Sequence, residues 1–176
     1  LNDAIERIVA TLKEDFGQFL PVLLPMMYKQ CQFNLEEVAN MIPISFENMD
    51  EELEYTKEIN GKHIKIKSST FEDMQVQVRL LGVIAEETNT AFVPYIEQTA
   101  QALVHIINPP EELFDELYDV RAAMSGAWAI LIKLAATNNN QKLANDLCKQ
   151  YLSAAIQKTT ELQEWIDCEE MVDQAE

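Results

Sequence analysis

The fold is decided by the stretch Phe71-Glu-Asp-Met-Gln-Val-Gln-Val-Arg-Leu-Leu-Gly-Val-Ile-Ala-Glu-Glu87. Its apolar side chains recur in steps of three and four, at positions 71, 74, 78, 81 and 85, which places one apolar stripe along a helix. The segment Ala91 to Ile107 carries a second stripe, at positions 92, 95, 96, 99, 100, 103 and 106. Only Thr88-Asn89-Thr90 separates the two segments, so we predict two antiparallel helices joined by a short turn. Thr90 is the expected N-cap, because Pro94 then falls in the first helical turn.

One such pair cannot bury both of its stripes alone, so we expect the same unit elsewhere in the chain. Helical patterns at residues 2–14 and 18–31 predict an N-terminal pair with a break at 15–17. Patterns at 111–136 and 141–166 predict a third pair around the turn 138–140. Phe16-x-x-Phe19-Leu20 aligns with Phe92-x-x-Tyr95-Ile96 at an offset of 76 residues. The other residues predicted to face the core are Ile5, Ile8, Val9, Leu12, Leu23, Leu24, Met27, Cys31, Leu113, Leu117, Val120, Met124, Ala127, Leu131, Leu134, Leu143, Leu147, Tyr151, Ala154, Leu162 and Trp165.

Residues 32–67 are predicted to form an insertion between the first two pairs. Five carboxylates, at positions 47, 50, 51, 52 and 54, fall within eight residues and predict a solvated acidic loop. Asn60-Gly61 lies between two segments of alternating residues, which is the strongest short-range signal for a β-hairpin. Because a two-stranded hairpin is marginal alone, we expect it to lean on the helices.

The 176-residue chain has a net charge of −17, which limits its partners. Nucleic acid is a poor partner, because phosphate binding needs clustered Lys and Arg, whereas basic protein surfaces are better ones. An acidic surface can also serve solubility alone. Cys31, Cys148 and Cys168 form no CxxC and no Cys/His cluster, so we expect reduced thiols and no zinc or other cofactor. No apolar run approaches the ~18 residues of a membrane span. The chain starts inside a helical pattern, and we interpret it as a piece of a longer protein.

The sequence carries no recognisable catalytic motif. Neither His63 nor His105 has a Glu three residues before it, so the Glu-x-x-His ligands of a di-iron bundle are missing. There is no G-x-S-x-G, no phosphate loop and no Cys–His pair at a recognisable spacing. We therefore expect a protein that binds other proteins and not an enzyme.

Two architectures fit three helix pairs with short turns: a closed six-helix bundle and an open stack of pairs. An apolar residue followed by Arg inside the first helix of a pair, as in Val78-Arg79 and Val120-Arg121, is typical of HEAT repeats. We therefore predict an all-α HEAT-repeat solenoid of about three antiparallel pairs, with an inserted acidic loop and a small β-hairpin. Its predicted segments are pairs at 1–31, 68–108 and 109–166, the insertion at 32–67, and an acidic tail at 167–176.

The segment Gln18-Phe-Leu-Pro-Val-Leu-Leu-Pro-Met-Met27 resembles the second helix of a HEAT repeat in the importin-β (karyopherin-β) family, most closely the importin beta-3 type. The order of segments over roughly residues 1–166 is similar too. It runs from this helix through an acidic insertion to the pair containing Val78-Arg79-Leu80-Leu81 and a pair beginning near Val120-Arg121. The resemblance implies a nuclear import receptor that shuttles between cytoplasm and nucleus. It also implies a concave face of second helices that binds basic cargo, such as ribosomal proteins or histones, and the GTPase Ran in its GTP form. Nucleoporins are a further class of partner.

The candidate partner-binding residues are polar side chains that point away from the stripes of the second helices, together with the acidic insertion. They are Glu97, Gln98, Gln101, Asp146, Gln150, Gln157, Glu161 and Glu164 on the helices, and Glu47, Asp50, Glu51, Glu52 and Glu54 in the insertion. If the helical residues share one surface, a Lys- or Arg-rich peptide finds paired carboxylates there. Exposed solenoid ends would also let the chain associate with itself. The alternative function is a HEAT-repeat scaffold or regulatory subunit unrelated to transport.

Overall fold

The protein is described here by a computed structural model that covers residues 2–32, 54–59, 62–107, 109, 113–114 and 117–155. Its helices are α1 (Asn2–Leu12), α2 (Leu20–Cys31), α3 (Ser68–Thr88), α4 (Ile96–Ile107), α5 (Tyr118–Thr137) and α6 (141–155). Two 3₁₀ segments, Lys13–Phe19 and Asn89–Tyr95, join α1 to α2 and α3 to α4. Strands β1 (Glu54–Ile59) and β2 (Lys62–Lys67) form one antiparallel ribbon. The all-α fold class is confirmed.

Burial follows the predicted stripes in the second and third pairs. All the stripe positions of α3 (71, 74, 78, 81 and 85) are buried, and Leu80 and Ile84 widen the buried side. Between residues 92 and 106 every stripe position is buried except Tyr95, which is half-buried. The positions predicted from Leu113 to Leu134 are buried as well. These side chains pack into one core, so the helical period identified the inner side of each helix.

The junctions inside the first two pairs are 3₁₀ segments, where the sequence predicted a simple break and a short turn. The residues that follow α1 and α3, Lys13 and Asn89, adopt positive φ angles of 49° and 43°. A left-handed residue ends an α-helix because the following N–H groups no longer point along the helix axis. The prediction that Thr90 caps the next helix was wrong. Thr90 lies inside the 3₁₀ segment, and its hydroxyl donates to Oε1 of Glu14 at 2.9 Å.

The first helix of the third pair begins at Tyr118, where the sequence predicted a start at residue 111. Leu113 lies in a separate turn, in which its carbonyl accepts the N–H of Leu117 at 3.0 Å. Both leucines are buried. Apolar periodicity therefore could not distinguish this packed turn from the start of a helix.

Helices α5 and α6 run antiparallel on either side of the predicted turn at 138–140. Nε1 of Trp128 donates to the carbonyl of Leu147 at 3.1 Å. Farther from the turn, the hydroxyls of Ser125 and Tyr151 are 2.7 Å apart. The farther a residue of α5 lies from the turn, the farther from the turn lies its partner on α6, as expected for two antiparallel helices.

The first two pairs lie side by side and point in the same direction. Their hydrogen bonds join residues 71 to 76 positions apart, and these are Glu14 with Thr90, Tyr28 with Thr99, and Cys31 with His105. Because these three offsets are similar, each element of the first pair contacts its counterpart in the second. Helix α3 similarly runs beside α5, where Nζ of Lys133 donates to Oε1 of Glu86 at 3.1 Å. First helices therefore pack on first helices, and α2 packs on α4.

Helix α5 is long and apolar enough to cross a membrane when judged by length and composition alone. That signal is weak, because core helices pass the same test. Val120, Met124, Trp128 and Leu131 of α5 are all buried against the other helices. One side of α5 therefore belongs to the core.

Three residues that were predicted to face the core are exposed. Ile8 and Leu12 on α1 and Phe19 before α2 leave 49%, 37% and 47% of their surface accessible to water. Of the other predicted core positions of α2, Leu23 is half-buried, and Leu20, Leu24, Met27 and Cys31 are buried. Periodicity finds the apolar side of a helix, but it does not reveal whether another element covers that side.

Candidate partner-binding surface

Glu97 and Gln101 form an exposed polar row on α4. They are four positions apart, so they lie on the same side of the helix. Ile96, Ala100 and Leu103 lie on the opposite side and are buried. The neighbouring Gln98 is exposed as well. Burial of the apolar side therefore fixes the direction in which this row points.

Asp146 and Gln150 form the corresponding row on α6. The rotation of α6 is set by Leu147, which is buried and whose carbonyl accepts from Trp128, and by Tyr151, which contacts Ser125. Asp146 and Gln150 each precede one of these inward residues, and both are exposed. The prediction that these two residues point away from the core is confirmed.

The other candidate residues are not brought to this surface by the described part of the chain. Gln157, Glu161 and Glu164, and Glu47 with Asp50 to Glu52, lie outside the described residues. Glu54 does not belong to a loop: it opens β1, where its backbone pairs with that of Lys67. The last pair of that ribbon is Ile59 with Lys62, and the predicted turn residues 60 and 61 lie outside the described residues.

Within the part of the chain that the structure describes, the carboxylates of the two rows have no basic partner. Among the described residues, ion pairs join Glu6 to Arg79 at 3.8 Å and Glu86 to Lys133 at 3.1 Å. Both lie on first helices, and neither involves Glu97 or Asp146. Each row also carries an amide side chain, which can donate to and accept from a peptide backbone.

A cleft of about 760 Å³ lies at the edge where the turns meet, and no sequence pattern predicted it. Its lining includes the carboxylates Glu14, Asp15, Glu86 and Glu87 and the ammonium groups of Lys13 and Lys133. The Glu14 carboxylate already accepts from a threonine, and the Glu86 carboxylate is paired with a lysine. Two of these four carboxylates therefore already have a partner within the protein. Long-range contacts form this cleft, so no local motif could have revealed it.

The two Val-Arg motifs place their arginines differently. Arg79 is exposed and reaches Glu6 of the first pair. The guanidinium of Arg121 lies over the ring of Phe114, 3.7 Å from its centroid, and burial lowers its pKa. A cation on an aromatic face is stabilised by the ring quadrupole. Arg79 thus links two pairs, whereas Arg121 anchors the turn that precedes α5.

The polar groups at the contact between α2 and α4 have structural partners. Nε2 of His105 lies 3.0 Å from the carbonyl of Cys31, the last residue of α2, and burial lowers the pKa of the imidazole. Burial raises the pKa of the Cys31 thiol to about 12, so it stays protonated at neutral pH. Within the described ranges no group of three or more His, Cys, Asp or Glu side chains could hold a metal ion.

Comparison with known proteins adds no relative: no protein-family model and no curated protein matches this chain.

Proposed function

We propose that this chain is part of a HEAT-repeat solenoid that binds basic polypeptides within a nuclear import receptor of the importin-β kind. The solenoid is supported by the similar offsets, 71 to 76 residues, of the contacts between the first and second pairs. In a closed bundle, helices surround a common centre and equivalent elements need not lie beside each other. In a stack of repeats, each unit contacts its neighbours through equivalent positions.

The observation that carries the binding function is the pair of exposed rows on the second helices. Glu97 with Gln101 and Asp146 with Gln150 each present a carboxylate without a basic partner among the described residues. Lysine and arginine side chains bind such carboxylates through charge-assisted hydrogen bonds. The net charge of −17 adds long-range attraction for a basic polypeptide.

Titration of a fluorescent Lys- and Arg-rich peptide, followed by anisotropy, tests this proposal. Reversing both row carboxylates, Glu97→Lys with Asp146→Lys, should weaken binding about tenfold, since exposed ion pairs are each worth up to about 1 kcal/mol. The matched control, Glu72→Lys with Asp73→Lys, makes the same change in net charge at exposed positions of the first helix α3. It should weaken binding much less.

Equal losses for the two double variants would show that only net charge matters and would contradict a site on the second helices. Raising the salt concentration should weaken wild-type binding, because charge-driven contacts are screened. Peptide binding that is insensitive to salt would contradict the proposal as well.

The transport function is tested on the longer receptor of which we propose that this chain is a part. We expect Ran in its GTP form to release basic cargo, nucleoporins to bind, and the protein to shuttle between cytoplasm and nucleus. If Ran in its GTP form leaves the affinity for cargo unchanged, the second candidate is favoured. That candidate is a HEAT-repeat scaffold or regulatory subunit, because stacked pairs would serve that function equally well.

A further inference from the structure

A small pocket lies between the end of α4, the start of α5 and α6, and we call it the Arg121 pocket. Its volume is about 210 Å³, several times the room that one water molecule needs. Ile107 and Met124 line it and are buried, so its floor is apolar. Tyr118 and Ala122 also line it and are exposed, so its mouth opens to solvent.

The guanidinium of Arg121 is the cationic group of this pocket. One flat side of it lies over the Phe114 ring, with 3.7 Å between Cζ and the ring centroid. Stacking leaves the N–H groups available, because they point outward in the plane of the guanidinium. Within the described ranges no ion pair and no side-chain hydrogen bond takes up these N–H groups.

The charges around Arg121 do not include a described carboxylate partner. Asp119, two positions earlier on α5, is exposed, does not line the pocket and forms no ion pair with Arg121. Burial lowers the pKa of Arg121, whereas a paired carboxylate would raise it. A half-buried cation is therefore held in a pocket that offers it no described counter-charge.

The wall formed by Ser125 and Tyr151 is fixed by the protein itself. The hydroxyl of Ser125 donates to the carbonyl of Arg121 at 2.8 Å, so the hydroxyl of Tyr151 donates to Ser125, at 2.7 Å. The Tyr151 ring packs near Trp128, with 6.3 Å between the ring centroids. Both hydroxyl hydrogens are thus used internally, and the guanidinium supplies the donors that remain for a ligand. Such a site fits a group that only accepts hydrogen bonds.

We propose that the Arg121 pocket binds a carboxylate of a partner polypeptide, from an acidic side chain or from the chain terminus. The planar guanidinium can donate two parallel hydrogen bonds to the two oxygens of a carboxylate. Ile107, Met124 and the ring of Tyr118 would contact the carbon atoms that carry the carboxylate. The inference requires neither the stack of helix pairs nor the polar rows on α4 and α6.

Charge favours a carboxylate over a phosphate group in this pocket. The net charge of −17 opposes any anion, but this repulsion is screened beyond ~8 Å at physiological salt. A phosphate group carries a charge of about −1.5 to −2 and is repelled more strongly than a carboxylate. Among the described residues that line the pocket, Arg121 is the one cation available to offset that charge.

Nuclear magnetic resonance of the arginine Nε–H groups tests the proposal with the complete 176-residue chain. The arginines of the chain are Arg7, Arg79 and Arg121, so the spectrum is simple and contains two internal controls. The probes, added at physiological salt, are N-acetyl-leucine, which has a terminal carboxylate, and the α-amide of N-acetylglutamate, which has a side-chain carboxylate. At least one probe should shift the Arg121 signal to saturation while Arg7 and Arg79 change little. The tighter probe identifies the source of the carboxylate.

Two further compounds test the chemistry of the ligand. The amide of N-acetyl-leucine keeps the apolar side chain without the charge and should leave the Arg121 signal unchanged. Inorganic phosphate should bind about tenfold more weakly than the better carboxylate probe, because of its higher charge. An amide that binds as well as the acid, or a phosphate that binds more tightly, would overturn the proposal.

Two variants test the pocket. Ala122→Leu keeps the guanidinium and should weaken binding about tenfold, because the larger side chain would occupy the space that the carboxylate needs. Ala129→Leu adds the same side chain at an exposed position of α5 outside the lining and should leave binding unchanged. Arg121→Lys, followed through backbone amide signals and checked for folding by circular dichroism, should also weaken binding about tenfold, since lysine cannot form the bidentate contact. An Ala122→Leu chain that binds like wild type would overturn the proposal.

A carboxylate of the same chain is the competing occupant. Asp115 and Glu116 are close to Arg121 in sequence and lie outside the described residues. Asp115→Asn with Glu116→Gln should leave the affinity for the better probe within about twofold of wild type, as expected for residues that do not occupy the site. An affinity that rises about tenfold in this variant would show that the chain supplies its own carboxylate, and it would overturn binding of a partner. A wild-type Arg121 signal that does not saturate with either probe would overturn it as well.

Discussion

Gly17 and Ala91 lie so close together that a Cβ atom on Gly17 would be 2.7 Å from the Cβ of Ala91. The two 3₁₀ segments can touch only because one of the two residues has no side chain. Gly17→Ala should therefore lower the free energy of unfolding by about 1–3 kcal/mol, the usual cost of overpacking. Urea denaturation measures this loss.

A compensating change provides the control for that experiment. Ala91→Gly in the Gly17→Ala background removes the clashing methyl group and should restore much of the stability. Gly126→Ala, which places a methyl group in open space inside a helix, should be neutral or stabilising by up to about 1 kcal/mol. A Gly17→Ala protein as stable as wild type would show that the two segments can separate without cost.

The Tyr28–Thr99 hydrogen bond should contribute measurably to packing of the first pair on the second. The hydroxyl of Thr99 donates to the carbonyl of Tyr95 at 2.8 Å, so the Tyr28 hydroxyl donates to Thr99, at 2.7 Å. Tyr28→Phe should cost about 1 kcal/mol, the typical net value of a hydrogen bond. Thr99→Val should cost more, because it leaves the buried Tyr28 hydroxyl without its partner. The reverse order, measured by urea denaturation, would contradict this arrangement.

Cys31 should resist alkylation in the folded protein. Burial raises the pKa of its thiol to about 12, and only the thiolate reacts. Cys148 is half-buried and should react with iodoacetamide before Cys31 does at pH 8. Peptide mass spectrometry after timed labelling distinguishes the two sites, and labelling in urea is the control. Equal rates in the native protein would mean that the α2–α4 contact opens readily.

Stability should fall as the pH drops from about 7 to 5, and His105 should account for part of that loss. Burial lowers the pKa of its imidazole below the ordinary value of 6.5. The unfolded chain therefore binds a proton at a higher pH than the folded chain does, and the stabilising contribution is lost as pH falls through the folded pKa. His105→Gln should flatten the curve of unfolding free energy against pH. An unchanged curve would show that other titrating groups cause the loss of stability.

The helical period predicted burial correctly in the helix pair that has another pair packed on each of its sides. Val78 and Leu103 could be assigned to the core from spacing alone, because both sides of their pair are covered. Ile8 and Phe19 obey the same period and are exposed, since burial depends on an element that the local pattern does not specify. The late start of α5 was missed for a related reason: Leu113 is buried in a turn.

The outward direction of Glu97 and Asp146 followed from the same periodicity. The sequence did not predict the hydrogen bond from Thr90 to Glu14 or the close approach at Gly17. Both depend on how whole pairs are placed beside each other, and that placement is set by contacts between residues more than 70 positions apart. Local propensity carries no information about such contacts.

The first pair is held against the second by interactions distributed from Glu6 to Cys31, so we expect the two pairs to stay together when the chain is cut between them. A single protease cut in that connection should leave a nicked protein whose two fragments migrate as one complex. The same two fragments, produced from separate genes, should find each other and reassemble. This region of the chain could then accept inserted domains or reporter tags at little cost to the fold.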